Sequence, residues 1–543
     1  MTTERATERV ASRGIAAAAF LIMAGNLGSR VLGLVREQLT SGLFGAGNEI
    51  AAFTVADNVN TLLFDLMVSG MLEAALVPVL ALWALPHLRE DFRRISGTLL
   101  TMVTFALGSM AILGTIFAPT VVRLMTSLGG SGNARGVDTT DLTIQLVRII
   151  LPSIVFLGIA AVLMGCLYSL ERMATPALSP GIRNLCVVVA LITLSGSIGV
   201  KSLPIGIVVG AVLIALVQIP ALKRAGALPK PNFHFRHPAV KEVLRLYFPI
   251  SIGLLFSAAV VIIDRNLAWG AEEDALGAMR YATTLVQLVM GLVGAAVSLA
   301  ALPSLAKHFN ANDEDAFQDT LTRALGLVTA LIVPAVLGMA AISSPVVDLL
   351  FQHGKTTDSA ARLITIALLG YLPGHLFAAY DQVLIFSFYS RRNTRTPVIV
   401  GILTSGVYFL FAFSLVDRFG MLGLVLANSA QFIAHAAIMY WLARNAFGLR
   451  HERHLWRTIG MCALASAVMA LVVFGIWLGL DHLLPDRAGL FGLIREVVLV
   501  LIPAAIGAGI YLILARFLRI HEVNTLVHGV LARLPIPRAG TAD

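Results

Sequence analysis

Arg30, Arg36 and Glu37 stand inside a stretch, 15–43, that is otherwise mainly apolar. A charge at membrane depth costs from about 3 to well over 10 kcal/mol unless it faces water, a partner or a bundle interior. These side chains are therefore expected to line a cavity. The chemistry they suit is anion recognition, because the guanidinium fork stays ionised and grips phosphate oxygens in pairs. Arg30 and Arg36 are six positions apart, about 120° around a straight helix. A joint site needs either a wide cavity or a bend, which Gly25, Gly28 and Gly33 permit. The competing reading places Arg36 and Glu37 near the outer interface, where they snorkel to water.

Further along, Asp57, Thr61, Asp65, Ser69 and Glu73 recur every four residues and form one drifting polar stripe on a second helix. It serves either as counterions and hydrogen-bonding groups beside the arginines or as buried pairing between two helices. Asp264 and Arg265 form a local acid–base couple, and Arg280 adds a cation at the start of the next span. His375, Tyr380 and Asp381 are polar within another apolar run, suited to packing first and a proton relay second. Ser29, Arg30, Arg36, Asp57, Asp65 and Arg280 are thus the candidate substrate-binding residues. Glu37, Asp264 and Arg265 are a candidate ion site or structural pair. No nucleotide loop, zinc-ligand spacing or nucleophile elbow is present, so neither catalysis, a metal nor bound ATP is expected. Cys166, Cys186 and Cys462 all lie in apolar stretches and read as packing residues.

The elements that position these groups follow from composition. The 543 residues are 57% hydrophobic and 13% charged, against about 25% charge in a soluble domain. Mean hydropathy is +0.85. Fourteen spans of about 22 residues use about 308 residues, which leaves little for an ectodomain or a soluble catalytic half. The apolar runs fall near 15–43, 49–83, 96–125, 142–170, 176–197, 203–222, 241–268, 275–304, 317–349, 361–389, 396–416, 420–443, 458–480 and 489–517. With the N-terminus inside, basic residues in inner loops outnumber those in outer loops by about seventeen to five, so both termini are expected in the cytoplasm. The same dispersal explains the net charge of +9 without nucleic acid. The arm 1–14 reads as cytoplasmic, with the first helix retained.

The chain also repeats. Ser29 recurs as Ser257, Pro78 as Pro303 and Pro119 as Pro345. Leu151-Pro152, Tyr168-Ser169 and Thr175-Pro176 recur as Leu372-Pro373, Tyr389-Ser390 and Thr396-Pro397, all at an offset of 221. Two six-helix lobes, 15–225 and 241–445, are expected around a linker at 226–240, with a thirteenth and fourteenth helix in 446–518 and a tail from 519 to 543. Such lobes keep one orientation and are related by an axis along the membrane normal, as in many transporters.

On Ser29-Arg30-Val31-Leu32-Gly33 with Arg36, Leu43-Phe44-Gly45-Ala46-Gly47, Val77-Pro78-Val79-Leu80, Leu302-Pro303-Ser304-Leu305, His353-Gly354-Lys355 and Phe388-Tyr389-Ser390 with Thr396-Pro397-Val398, the chain resembles the lipid II flippase family (MurJ, or MviN) of the multidrug/oligosaccharidyl-lipid/polysaccharide exporter superfamily. The resemblance covers about Gly25 to Gln431. It implies an all-α integral membrane protein of about fourteen transmembrane helices in a pseudo-twofold V, a cationic cavity, and a lipid-tail groove bordered by the last two helices. It implies export of an undecaprenyl-diphosphate-linked disaccharide-peptide across the bacterial cytoplasmic membrane, with no enzymatic step. The partners implied are that substrate, membrane lipids and cell-wall synthesis machinery. No cofactor is implied beyond a coupling cation or the membrane potential. Arg30 and Arg36 match two of the family's cavity arginines, whereas two further arginine positions hold Phe64, followed by Asp65, and Thr284, with Arg280 one turn earlier. Two acidic positions hold Ala51 and Ser69. A flippase for another polyprenyl-diphosphate-linked glycan, or a cation or drug exporter of the same superfamily, are the alternatives.

Overall fold

The computed structural model describes residues 28–66, 76–127, 136–448, 452–485 and 489–523. The arm 1–14, Gly25, Ser69, Glu73 and the tail beyond 523 lie outside these residues. The described residues form helices: α1 (28–44), α2 (Asn48–Phe64), α3 (Val77–Leu82), α4 (Arg89–Ile116), α5 (Ala118–Thr126), α6 (Gly136–Ile150), α7 (Pro152–Ser169), α8 (Ala174–Ile198) and α9 (Ser202–Arg224). They continue as α10 (Pro238–Trp269), α11 (Ala275–Asn310), α12 (Glu314–Ala341), α13 (Ser343–Phe351), α14 (Asp358–Ser390), α15 (Arg395–Phe419), α16 (Met421–Phe447), α17 (Glu452–Leu483) and α18 (Leu490–Phe517). Among the described residues, nine helical segments are long and apolar enough to cross a bilayer.

Two expected spans are interrupted. The run 96–125 breaks at Phe117 (φ −90°, ψ 17°) and the run 317–349 at Ile342 (φ −116°, ψ 27°). Pro119 and Pro345 follow two and three residues later. A proline lacks the amide hydrogen and disfavours helix at the residue before it, so each short helix restarts with proline in its first turn.

The 221-residue repeat is visible in the backbone. α7 and α14 end at Ser169 and Ser390, and each is closed by a left-handed residue two positions on, Glu171 (φ 58°) and Arg392 (φ 59°). The next amides, of Arg172 and Asn393, return to the carbonyls of Leu167 and Phe388 at 2.8 and 3.0 Å. α8 and α15 begin at Ala174 and Arg395 and are followed by Gly199 (φ 60°) and Gly420 (φ 52°). These are paired C-terminal caps in which the positive φ satisfies end carbonyls.

The chain divides into two compact units, one of 1–277 with 354–356, the other of 278–353 with 357–543. In the first, Phe92, Ile95, Leu99, Val103 and Leu107 line one face of α4 and pack with Val162, Leu163 and Leu167 of α7 and with Val240 and Val243 of α10. The extended segment before α10 lies along α4. Arg93 Nε donates to Leu228 O at 3.3 Å, and Asn232 N to Thr101 Oγ1 at 3.2 Å. Between them, any side chain at Gly97 would strike the Lys230 backbone. Two extended residues advance about as far as one helical turn, so the segment keeps step with positions 93, 97 and 101.

In the second unit, Arg391 is stacked over Phe317 and Phe447, 4.5 and 4.2 Å from the ring centroids, and is ion-paired with Glu314. One guanidinium thereby holds the ends of α12, α14 and α16 together. Beyond the break at Ile342, and outside the segments long and apolar enough to cross a bilayer, the Asp348 carboxyl on α13 is pushed up to about 6 by burial, with Ser344 opposing and the carboxylates of Glu496, Asp481 and Asp358 reinforcing. The unfolded value is about 3.9. Native protein therefore holds the proton more tightly, and this contribution to stability is lost as pH rises from about 4 through about 6. Asp348→Asn is expected to raise the unfolding temperature at pH 7.5 and to leave it unchanged at pH 4. Equal shifts at both pH values would contradict that origin.

Candidate functional site

α1 of the first unit carries its charges on a helix held by α8. Arg36 Nη1 donates to Asn184 Oδ1 at 3.0 Å, and Arg36 Nη2 donates to Glu37 Oε1 at 2.5 Å. Asn184 Nδ2 in turn donates to the Ser29 carbonyl at 2.9 Å and to Ser29 Oγ at 3.3 Å. Ser29, Arg36 and Glu37 are thus brought together by a residue on α8 that sequence reasoning missed. Gly33 lies against it, and a Cβ there would sit 3.4 Å from Asn184 Nδ2, at ordinary contact distance. The Glu37 side chain is 1% exposed and that of Arg36 19%. Glu37 does not snorkel. Arg36 Nε is buried without an acceptor among the described residues, and Nη1 and Nη2 each keep a second N–H beyond the two bonds given above.

Arg30 is half-buried, about one and two-thirds turns before Arg36. On α2, Asp57 and Asp65 are half-buried and Thr61 is exposed, while Ile50 to Ala56, Val59 and Asn60 are buried. The described part of the stripe thus occupies the accessible face of that helix. The opposite face is fixed partly by Ser153 Oγ, which donates to Asn60 Oδ1 at 2.8 Å. A carboxylate facing hydrocarbon is costly, so this accessible face suits water and polar ligand.

Asp264 and Arg265 are paired, with 3.6 Å between Oδ2 and Nη1. Asn266 beside them donates to Leu124 O at 2.7 Å, tying α10 to α5. Arg280 belongs to the second unit and is half-buried on α11. His375, Tyr380 and Asp381 diverge. His375 Nδ1 lies 3.0 Å from the Tyr371 carbonyl, Tyr380 donates to Thr329 Oγ1 at 3.0 Å, and Asp381 Oδ1 is 2.8 Å from His435 Nδ1. Three separate partners favour packing over a relay. Cys166 and Cys462 are buried free thiols and Cys186 is half-buried. No cluster of metal-ligating side chains occurs among the described residues.

The last turn of α1 is clasped by a distant loop of the same unit. Lys355 N donates to Gly42 O at 2.9 Å, and Thr356 Oγ1 to Ser41 O at 2.9 Å. Gly45 (φ 71°) and Gly354 (φ 63°) both adopt the left-handed conformation. Parts of two motifs some 310 residues apart, Leu43 to Gly47 and His353 to Lys355, are brought together here.

The sequence matches the family model for the lipid II flippase MurJ over residues 40–499. A probable lipid II flippase MurJ from Vibrio cholerae is 28% identical over 508 residues, covering 90% of this chain and 95% of that protein. Among solved structures, a lipid II flippase MurJ in an inward closed conformation aligns with a TM-score of 0.76 at 22% identity, covering 92% of this chain and 99% of that one. An inward-facing MATE multidrug transporter of the MOP superfamily aligns with a TM-score of 0.63 at 15% identity, covering 79% and 96%. At these identities the two structures establish the fold.

Proposed function

The chain belongs to the lipid II flippase MurJ family, and from that membership, with the charged face of its first unit, we propose how it moves its passenger. It is a multi-pass inner-membrane transporter and not an enzyme, and its substrate is the polyprenyl-linked peptidoglycan precursor lipid II. The observation that carries this is the family match over residues 40–499.

A diphosphate head cannot cross hydrocarbon bare, because burying an unpaired charge costs tens of kcal/mol in the Born limit. Arg30 and Arg36 would receive the diphosphate, with Ser29 beside them and Asp57 and Asp65 hydrogen-bonding the sugar–peptide part. Asn184 and Glu37 hold Arg36 in one rotamer, so its charge is preorganised and little entropy is lost on binding. Arg280, in the second unit, is a further candidate cation, and Asp264 with Arg265 acts as a structural pair or the seat of a coupling cation. The prenyl tail stays in lipid or in the apolar groove between α12, α17 and α18. With both termini cytoplasmic, an inside-negative potential favours outward movement of the anion by about 2.3 kcal/mol per charge per 100 mV. Cell-wall synthesis machinery on the outer side would take up the product.

The test is flipping of purified lipid II in vesicles, together with rescue of cells depleted of their own lipid II flippase. Arg30→Glu with Arg36→Glu is expected to stop both, while Asp57→Asn with Asp65→Asn keeps partial flipping. The reverse pattern would point to an exporter of organic cations. Flipping of a different lipid-linked glycan, with lipid II left in place, would move the protein to another substrate.

A further inference from the structure

The second unit contains a groove whose two ends differ in chemistry. Its deep part, about 590 Å³, is walled by α12, α17 and α18. Leu331, Ala335, Gly338, Val473 and Ala508 leave it apolar, and the hydroxyl of Tyr511 is spent on the Ala330 carbonyl at 2.7 Å. An adjoining space of about 430 Å³ is lined instead by Asp319, Arg323 and Leu327 of α12, His454 of α17, and His521 and Glu522 after α18.

The two spaces are lined by neighbouring residues. On α12 the lining residues 319, 323, 327, 331 and 335 advance by four, each step about 40° further around the helix, so they form a winding stripe that leads from the polar space to the apolar one. On the far wall, His521 and Glu522 line the polar space and the next residue, Val523, lines the apolar one. From Leu331 to Ile342 the apolar wall runs about 17 Å, roughly one leaflet of a hydrocarbon core about 30 Å thick.

The polar mouth carries both signs of charge. Glu522 Oε1 accepts from Thr458 Oγ1 at 3.2 Å and lies 3.9 Å from His454 Nδ1. Glu522 Oε2 is buried and has no hydrogen-bond partner among the described residues. The carboxylate is seated against Gly326, where a Cβ would come within 2.8 Å of Oε1. A buried carboxylate oxygen without a donor is costly, and an ammonium group supplies the missing N–H. Arg323 is exposed at the same mouth and suits a phosphate.

We propose that this groove binds an aminophospholipid, with phosphate at Arg323 and the two histidines, the ethanolamine ammonium at Glu522, and an acyl chain along α12. A phosphatidylcholine head has no N–H to give Glu522. A phosphatidylglycerol head brings only negative charge and hydroxyls to it. The lipid fills the groove between passengers and is displaced by a prenyl tail. That last clause rests on the flippase reading, whereas the binding does not.

The experiment is native mass spectrometry of the detergent-purified full chain, titrated with phosphatidylethanolamine, phosphatidylcholine and phosphatidylglycerol of identical acyl chains. Phosphatidylethanolamine is expected to bind at least tenfold tighter than either of the others. Glu522→Gln should bring the three within about twofold, Arg323→Ala at its exposed position should weaken all three, and Ala335→Trp should fill the groove and remove binding. Equal binding of the three lipids to the unaltered protein overturns the proposal, as does preference for phosphatidylglycerol. A preference that survives Glu522→Gln in folded protein, or binding unaffected by Ala335→Trp, overturns it equally. None of these readouts depends on lipid II, so their failure leaves the transport reading standing.

Discussion

Arg36→Ala is expected to cost the first unit about 3–5 kcal/mol, the range for breaking a buried charge pair from one side, and to reduce lipid II flipping to background. The stability loss arises at Glu37, whose side chain is 1% exposed and would lose the cation that neutralises it. Removing both charges in Arg36→Ala/Glu37→Ala takes away the buried carboxylate along with its ion-pair partner, so stability should return to within about 1 kcal/mol of the original. Flipping should not return, because the guanidinium that meets the diphosphate is still missing. Chemical unfolding in detergent and flipping in vesicles, measured on the same preparations, separate the two effects. If the double variant flips lipid II at the original rate, Arg36 is only a structural partner of Glu37 and the phosphate site lies elsewhere. Asn184→Ala tests the positioning step. It should leave Arg36 charged but loose, weakening the apparent affinity for lipid II more than the maximal rate.

Much of this architecture is legible in the sequence because hydropathy and proline placement act locally. The offset of 221 seen in Tyr168-Ser169 and Tyr389-Ser390 reappears in the left-handed residues Glu171 and Arg392 and the caps Gly199 and Gly420, since turn chemistry is written in a few neighbouring residues. Helix ends beyond the bilayer are less visible. α4 starts at Arg89 and α17 at Glu452, whereas the apolar runs start near 96 and 458, because charged first turns lower hydropathy while Glu90, Asp91 and Glu452 favour a helix N-terminus. Partners across the fold are not legible at all. Arg36 and Glu37 announce themselves as charges in an apolar run, but nothing in one sequence says that Asn184, 148 residues away, completes them. Asn184 has a weak signal of its own as an amide beside Arg183 in an apolar span. His435 opposite Asp381 is the same case in the second unit.

Gly354→Val is expected to be among the most damaging single changes outside the charged site. Gly354 has φ 63°, where a residue with a Cβ is strained by about 1–2 kcal/mol and a β-branched one is a true outlier. Its Cβ would also be driven into the Gly42 carbonyl oxygen, the acceptor of the Lys355 amide at 2.9 Å. Overpacking of that kind adds about 1–3 kcal/mol. Gly136 provides the control, because it has φ 79° with nothing among the described residues within 4 Å of an added Cβ, so Gly136→Val carries chiefly backbone strain. The unfolding temperature should therefore fall further for Gly354→Val than for Gly136→Val, and the Lys355 amide should lose protection from hydrogen exchange only in the former. The consequence reaches the charged site, since Gly42 lies six residues after Arg36, about 9 Å along α1. A released turn frees the end of the helix that aims the guanidinium, and flipping should fall with it. Equal destabilisation by the two valines, with Lys355 still protected, would mean that the 354–356 loop does not clasp the last turn of α1.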